Sequence, residues 1–379
     1  MRNFVMTSES VTAGHPDKLC DQISDAVIDA YLAHGTRTPV TAECAIATGI
    51  VFLSIRAEQE APFDPAALAR RVAESAGYAS FRGKASPTVM LDLSFPPADR
   101  GAHRNGLATH LTTSFGYACQ HTPDLMPYPI WAAHRLSQAL DAARRQGRIA
   151  WLQPDAQAQV AVEMRERRPV AIRAIAISGA TRQAMPQDQI EHDLASEVID
   201  PAFRSAPVVP DPMTRRVFAV IADEGGPSAH SGLTGRKNAD DTYGGFVRHS
   251  AAALSGKAPA RIDRTAAYAA RQMARAVVVA GLASECEVQL SYVIGDEGPV
   301  SVELDFFGSG AGQESRIGRR LGEVVDLRVG AIAERMGLWE LPGRHDGRFY
   351  RDLAVYGHMG RDELAPPWED VTAIAAALG

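Results

Sequence analysis

His15, Asp17 and Lys18 crowd around Pro16, where the chain enters an amphipathic run at Leu19, Ile23, Ala26, Val27, Ala30 and Tyr31. Proline suits the first helical position because its missing N–H would have no partner there, so free backbone donors and a cation gather at a helix N-terminus. Such a place takes an anion. A phosphate would fit, with Asp17 free to hold Mg²⁺ against it. A capped surface helix whose acidic first turn complements the helix dipole reads equally well from this segment alone. Two later clusters tip the balance. Gly232-Leu233-Thr234-Gly235-Arg236-Lys237 sets two cations in a glycine-rich loop, and Ser255-Gly256-Lys257 is followed by Arg261, Asp263 and Arg264 at the next helix start. Neither has Walker A spacing. Together the three favour a triphosphate held by cations and bridged by Mg²⁺.

The elements that must position these groups fall into three segments, taken as 1–102, 103–222 and 223–379. The first holds the opening helix, a hairpin of Val40 to Ala47 and Ile50 to Ala57 turning at Thr48-Gly49, a helix from Pro65 to Ala76 and an apolar run from Val89 to Leu93. Phe95 to Gly106, rich in Pro, Gly and charge, reads as a mobile loop and a boundary. The second has a helix at Ile130 to Gln146, strands at Gln159 to Glu163 and Val170 to Ile177, and a helix at Gln187 to Val198. A β-like run at Arg216 to Ile221 leads into the third, which has a helix at Arg264 to Ala280 and strands at Glu285 to Ile294 and Val300 to Phe307. Strand pairs mixed with helices in each segment predict three similar α+β domains, with antiparallel or mixed sheets covered by helices. No sequence repeat links them.

With 379 residues and 46% hydrophobic content, the chain has ample material for more than one core. No apolar run approaches a membrane span and no secretory leader is recognisable, so a cytoplasmic location and no membrane partner are expected. A net charge of −6 gives no global attraction to nucleic acid. Cys20, Cys44, Cys119 and Cys286 lack metal-binding or disulfide spacing and read as small buried residues.

The chain resembles the S-adenosylmethionine synthetases, or methionine adenosyltransferases. The matching words are Thr7-Ser8-Glu9-Ser10-Val11, Gly14-His15-Pro16-Asp17-Lys18, Asp21 to Val27, Gly232 to Lys237, Asp241 to Gly245, Ser255-Gly256-Lys257, Asp263-Arg264, Ala266 to Arg271, Cys286-Glu287, Tyr356-Gly357-His358 and Pro367-Trp368-Glu369. They keep the family's order across nearly the whole chain. The resemblance implies pseudo-threefold symmetry and a homodimer or homotetramer with active sites between subunits. It also implies a reaction in which methionine sulfur attacks the 5′ carbon of ATP, expelling triphosphate that is then hydrolysed to pyrophosphate and phosphate. On it, His15 donates to the 5′ oxygen, and Lys18, Arg236, Lys237 and Lys257 hold phosphates. Glu9, Asp155 and Arg261 join the nucleotide site, Arg261 standing where the family has lysine. Asp17 and Asp263 ligate Mg²⁺, and Glu43 matches a K⁺-binding glutamate. From the residues alone, Glu43 reads as a strand-face carboxylate and Asp155 as a helix cap.

The departures gather on substrate recognition. His110 stands where the family has an aspartate that meets the methionine ammonium, Leu111 replaces a glutamine and Arg56 a methionine-contacting glutamate. His230 replaces a further aspartate, Gln157 a phosphate-contacting lysine, and Phe218 to Glu224 the segment that supplies a ring against adenine. The loop before His110 is short. Arg56 and His110 shift the pocket toward an anionic or neutral group in place of the ammonium. Three readings follow: ordinary S-adenosylmethionine formation, which leads; displacement of triphosphate from ATP or another nucleoside triphosphate by a different small-molecule nucleophile; and a silent regulatory or scaffold subunit.

Overall fold

The architecture is that of a computed structural model, which describes residues 3–35, 37, 39–78, 87–96 and 106–379. Most of the expected loop before Gly106, and the 102/103 boundary, lie outside the described residues. In chain order come β1 (Phe4–Val11), α1 (Pro16–Ala33), β2 (Val40–Ala47), β3 (Ile50–Ala57), α2 (Pro65–Ala76) and β4 (Thr88–Ser94). Next are β5 (Thr112–Cys119), α3 (Tyr128–Arg145), β6 (Leu152–Arg165), β7 (Arg168–Thr181) and α4 (Gln187–Leu194), which runs through a π-helical turn into α5 (Asp200–Phe203). Then follow β8 (Arg215–Ala222), β9 (Gly232–Leu233), α6 (Ile262–Val279), β10 (Glu285–Tyr292) and β11 (Ser301–Asp305). The last helices are α7 (Glu314–Val324), α8 (Val329–Arg335), α9 (Leu341–Arg344), α10 (Phe349–Tyr356) and α11 (Thr372–Leu378).

Local chemistry explains the sharpest boundaries. Thr48 and Gly49 both adopt positive φ, 47° and 88°, the turn that a two-residue hairpin needs. Asp64 accepts the N–H groups of Ala66 and Ala67 at the start of α2, and left-handed Gly77 ends it. The central hairpin is longer than its sequence suggests, because Glu166 and Arg167 turn with φ of 48° and 65° without any glycine.

Three hairpins, each covered by an 18-residue helix, repeat around the molecule: β2–β3 with α1, β6–β7 with α3, and β10–β11 with α6. The strand that precedes each of these helices joins the sheet of another segment. β1 pairs antiparallel with β6, β5 with β10, and β9 with β2. The sheet orders are therefore β1-β6-β7-β8, β11-β10-β5 and β4-β3-β2-β9, with β4 and β8 added in parallel to β3 and β7. This cyclic exchange is the structural form of the expected threefold relation.

Helices α1 and α6 lie deep in the protein, so α1 is not the capped surface helix that its motif also allowed. Leu19, Ile23, Val27 and Ile28 are fully buried, and so are Asp21, Asp25 and Asp29. A buried charge needs a partner. Arg264 of α6 pairs with Asp25 of α1, and Arg271 meets Glu369 at 2.8 Å. Gly116 of β5 lies so close to α6 that a Cβ there would fall 1.9 Å from the Ala270 carbonyl carbon. All four cysteines are unpaired and buried. Among the described residues, no helix is long and apolar enough to cross a membrane.

Candidate active site

The residues singled out in the sequence gather at two places. The first is the N-terminus of α1. His15 caps the helix, its Nδ1 accepting the Asp17 N–H at 3.2 Å, which leaves the proton of the neutral ring on Nε2. Burial pushes the ring down to about 4; Asp155 opposes the shift and Lys237 adds to it. His15 is therefore a neutral donor at physiological pH. The β9 backbone lies directly against this helix start: a Cβ on Gly232 would sit 2.2 Å from the Pro16 carbonyl carbon, so only glycine fits. That approach lets Asp17 accept the Leu233 N–H at 3.1 Å and face Arg236 Nη1 at 3.5 Å and Lys237 Nζ at 3.6 Å.

Asp155 closes the same hollow, a cavity of about 250 Å³ lined also by His15, Gln157, Asp223 and His230. Its Oδ2 accepts the Gly226 N–H at 2.9 Å and stands 2.7 Å from His230 Nε2, a hydrogen bond that raises the His230 pKa. Asp155 lies within β6, and no helix begins there. Glu9 sits at the rim on exposed strand surface and accepts from Gln157 Nε2 at 3.1 Å.

The second place lies where α6 begins, beside β2 and β3. Asp263 Oδ2 meets His110 Nε2 at 2.8 Å and Lys257 Nζ at 2.9 Å, and its Oδ1 accepts from the Thr112 hydroxyl at 3.0 Å. Burial opposes ionisation of Asp263, but the His110 hydrogen bond and the Lys257 charge outweigh it and hold the carboxyl well below its usual range. Burial lowers Lys257, with Asp263 opposing. Lys257 is fixed by a backbone bridge to Thr41. Beside it opens a cavity of about 840 Å³ lined by Thr41, Glu43, Ser54, Arg56, Thr109 and Arg261.

Lys18 belongs to neither place, which corrects its expected contact with phosphate. Its ammonium is fully buried, hydrogen-bonded to Asp241 and 3.3 Å from Asp21 Oδ2. Burial would lower its pKa, yet Asp241 and Asp21 win and raise it. The lysine neutralises acidic groups beneath the site.

Sequence reasoning missed Thr112, the Gly226 N–H and Asp241 as a partner of Lys18. Thr112 pairs opposite Tyr292 in a strand the sequence reading left out. The other two depend on contacts across 71 and 223 positions.

Family models describing the N-terminal, central and C-terminal domains of S-adenosylmethionine synthetase match residues 3–91, 106–221 and 224–370. The chain is 42% identical to an S-adenosylmethionine synthase of Synechococcus sp. (strain CC9311) and 41% to one of Prochlorococcus marinus (strain MIT 9313), covering all of this chain and 97% of each relative. With that of Synechococcus sp. (strain RCC307) it shares 40% over the full length of both. The chain belongs to the S-adenosylmethionine synthetase family.

Proposed function

We propose that the chain makes S-adenosylmethionine from ATP and methionine. It is a methionine adenosyltransferase-type enzyme whose reacting centre is built on His15. The observation that carries this reading is the neutral, buried imidazole whose Nε2–H is free to donate, set beside Arg236 and Lys237 at a helix N-terminus. Sulfur carries its own lone pair, so no base is required, and the barrier falls by stabilising charge on the departing triphosphate. His15 Nε2–H would donate to the 5′ oxygen as its bond to carbon breaks. Arg236, Lys237, Lys257 and Arg261 would hold phosphate oxygens, while Asp155, with Glu9 at the rim, would orient the nucleoside.

Mg²⁺ is the proposed metal at Asp17 and Asp263. Asp17 fits it well, as an oxygen ligand beside cations that need phosphate; Asp263 fits once His110 leaves Oδ2 and Lys257, on the same oxygen, turns to phosphate. A bound Mg²⁺ would neutralise charge between phosphate oxygens. Glu43 is the proposed K⁺ ligand, with the Thr41 and Ser54 hydroxyls on its face of the sheet; Arg56 at the same cavity limits the affinity such a site can reach.

The two places line separate cavities of one chain, which supports a homodimer that completes each site from two copies, whether or not dimers pair further. Leu233, Ala45, Phe52 and Met90 lie directly opposite one another across β9, β2, β3 and β4, so they share one face. Leu233, Phe52 and Met90 are 46%, 44% and 53% exposed, forming an apolar row beside the polar rows of the larger cavity. We also propose domains at 1–102, 103–222 and 223–379, each lending a strand to another, and a cytoplasmic location, which four unpaired cysteines support.

The test is incubation with ATP, methionine, Mg²⁺ and K⁺. S-adenosylmethionine should form, and His15→Ala should lower kcat by roughly 10²–10³-fold, the loss seen when one transition-state donor is removed, with ATP binding retained. Unchanged turnover in that variant would remove His15 from the reaction. Arg56 and the His110–Asp263 bond favour a second reading, a nucleophile bearing an anionic group; triphosphate release without S-adenosylmethionine would select it.

A further inference from the structure

We propose that His15, Asp155 and His230 form a binding site for one divalent transition-metal ion of the Zn²⁺ class, separate from the Mg²⁺ that accompanies phosphate. Each residue offers one ligand atom, and the three atoms lie within 4.8 Å of one another. The imidazole rings stand 5.1 Å apart, with Asp155 Oδ2 2.7 Å from His230 Nε2. Two imidazoles and a carboxylate form the three-ligand set that zinc takes when its fourth position stays open, whereas Mg²⁺ prefers an all-oxygen octahedron.

Bond lengths of about 2.0–2.1 Å put tetrahedral donors roughly 3.4 Å apart, so the wider donor pairs, within 4.8 Å, must close by up to about 1.4 Å while the Asp155–His230 pair, at 2.7 Å, opens by about 0.7 Å. His230 can supply that movement, because its side chain is 45% exposed. Asp155 is held in place by the Gly226 N–H, which donates to the same Oδ2, the kind of outer contact that orients a metal-bound carboxylate. The open fourth position faces the 250 Å³ cavity. Asp17 adds negative charge nearby and Lys237 opposes it. The ion would occupy the cavity and take the lone pair of His15 Nε2, the ring proton moving to Nδ1 as the Asp17 N–H contact is given up, so it should inhibit turnover; that consequence, though not the binding, rests on the role given to His15 above.

Calorimetric titration of the chelator-treated full-length protein with Zn²⁺, in excess Mg²⁺, should show one ion per chain. His230→Asn and Asp155→Asn should each weaken it at least tenfold. Co²⁺ in place of Zn²⁺ should give the visible absorption of a four-coordinate site in the parent protein and lose it in His230→Asn. Equal Zn²⁺ affinity in the parent and both variants, or no such Co²⁺ spectrum in the parent, would overturn the site. Both readouts are free of turnover, so a failure here is distinct from a failure of the catalytic reading.

Discussion

The two clusters use similar residue types to opposite effect. At the α1 N-terminus, His15 is neutral and its Nε2–H is uncommitted, while Asp17 faces Arg236 and Lys237 across gaps of 3.5 and 3.6 Å. At the α6 N-terminus, Asp263 is already matched by His110, Lys257 and Thr112 at 2.8–3.0 Å. The first cluster is poised for a ligand's oxygens, and the second is neutralised from within and must open to take one. Equal numbers of charged groups thus say little about readiness to bind. What matters is how many hydrogen-bonding positions remain unspent.

Lys18 gives the strongest test of which charges belong to the first cluster. Lys18→Met strips the partner from buried Asp21 and Asp241 and should cost about 3–5 kcal/mol in a denaturation experiment. A variant of unchanged stability that had lost ATP affinity would instead return Lys18 to the phosphate site. Acid titration separates the clusters next. The lowered His15 pKa means that the unfolded chain binds the proton first, so its stabilising contribution is full above about 6.5 and falls as pH drops toward about 4. Asp263 shifts as a carboxylate, so its contribution is full above about 3.9 and is lost only below that. Buried aspartates such as Asp240, pushed by burial up to about 7, act in the opposite sense between those values, so the informative quantity is a difference. His15→Asn, which still caps the helix, should shift the stability slope between pH 6 and 4.5 by up to about 1.4 kcal/mol per pH unit relative to the parent. An identical slope would mean that His15 is not held neutral. The smallest effect is expected from His110→Ala, which removes one of the two partners of Asp263 Oδ2 and leaves Lys257. Mg²⁺ should bind the nucleotide complex roughly fivefold tighter, the equivalent of one net hydrogen bond of about 1 kcal/mol. Weaker Mg²⁺ binding would show that His110 prepares Asp263 for the metal.

The hairpin at Thr48-Gly49 and helix α2 were legible to the residue, because glycine, Asp64 and Pro65 act within a few positions of themselves. β1 and β5 were not. Thr7 to Val11 drew attention as part of a motif, and Thr112 to Ser114 carry hydroxyls in place of an apolar alternation, yet both strands form because a hairpin from a distant segment receives them. The same holds for the site. His15 and Asp17 announced themselves through Pro16, and Asp263 through its helix start. Lys18 looked identical in kind but points into the protein, because three carboxylates, Asp21, Asp240 and Asp241, lie beneath it. The threefold relation left no repeat in the sequence, since it is carried by helix lengths and strand order.

The cyclic exchange of strands also sets a timetable for biosynthesis. The sheet of β2 and β3 waits for Gly232-Leu233, and β5 waits for Glu285 to Tyr292. At about 5–20 residues per second, a ribosome leaves the first hairpin without its last strand for roughly ten seconds or more after β3 emerges. Released early, the nascent chain would carry unpaired strand edges and an uncovered partner face, so chaperone demand should peak midway through translation and end once β10 has been made.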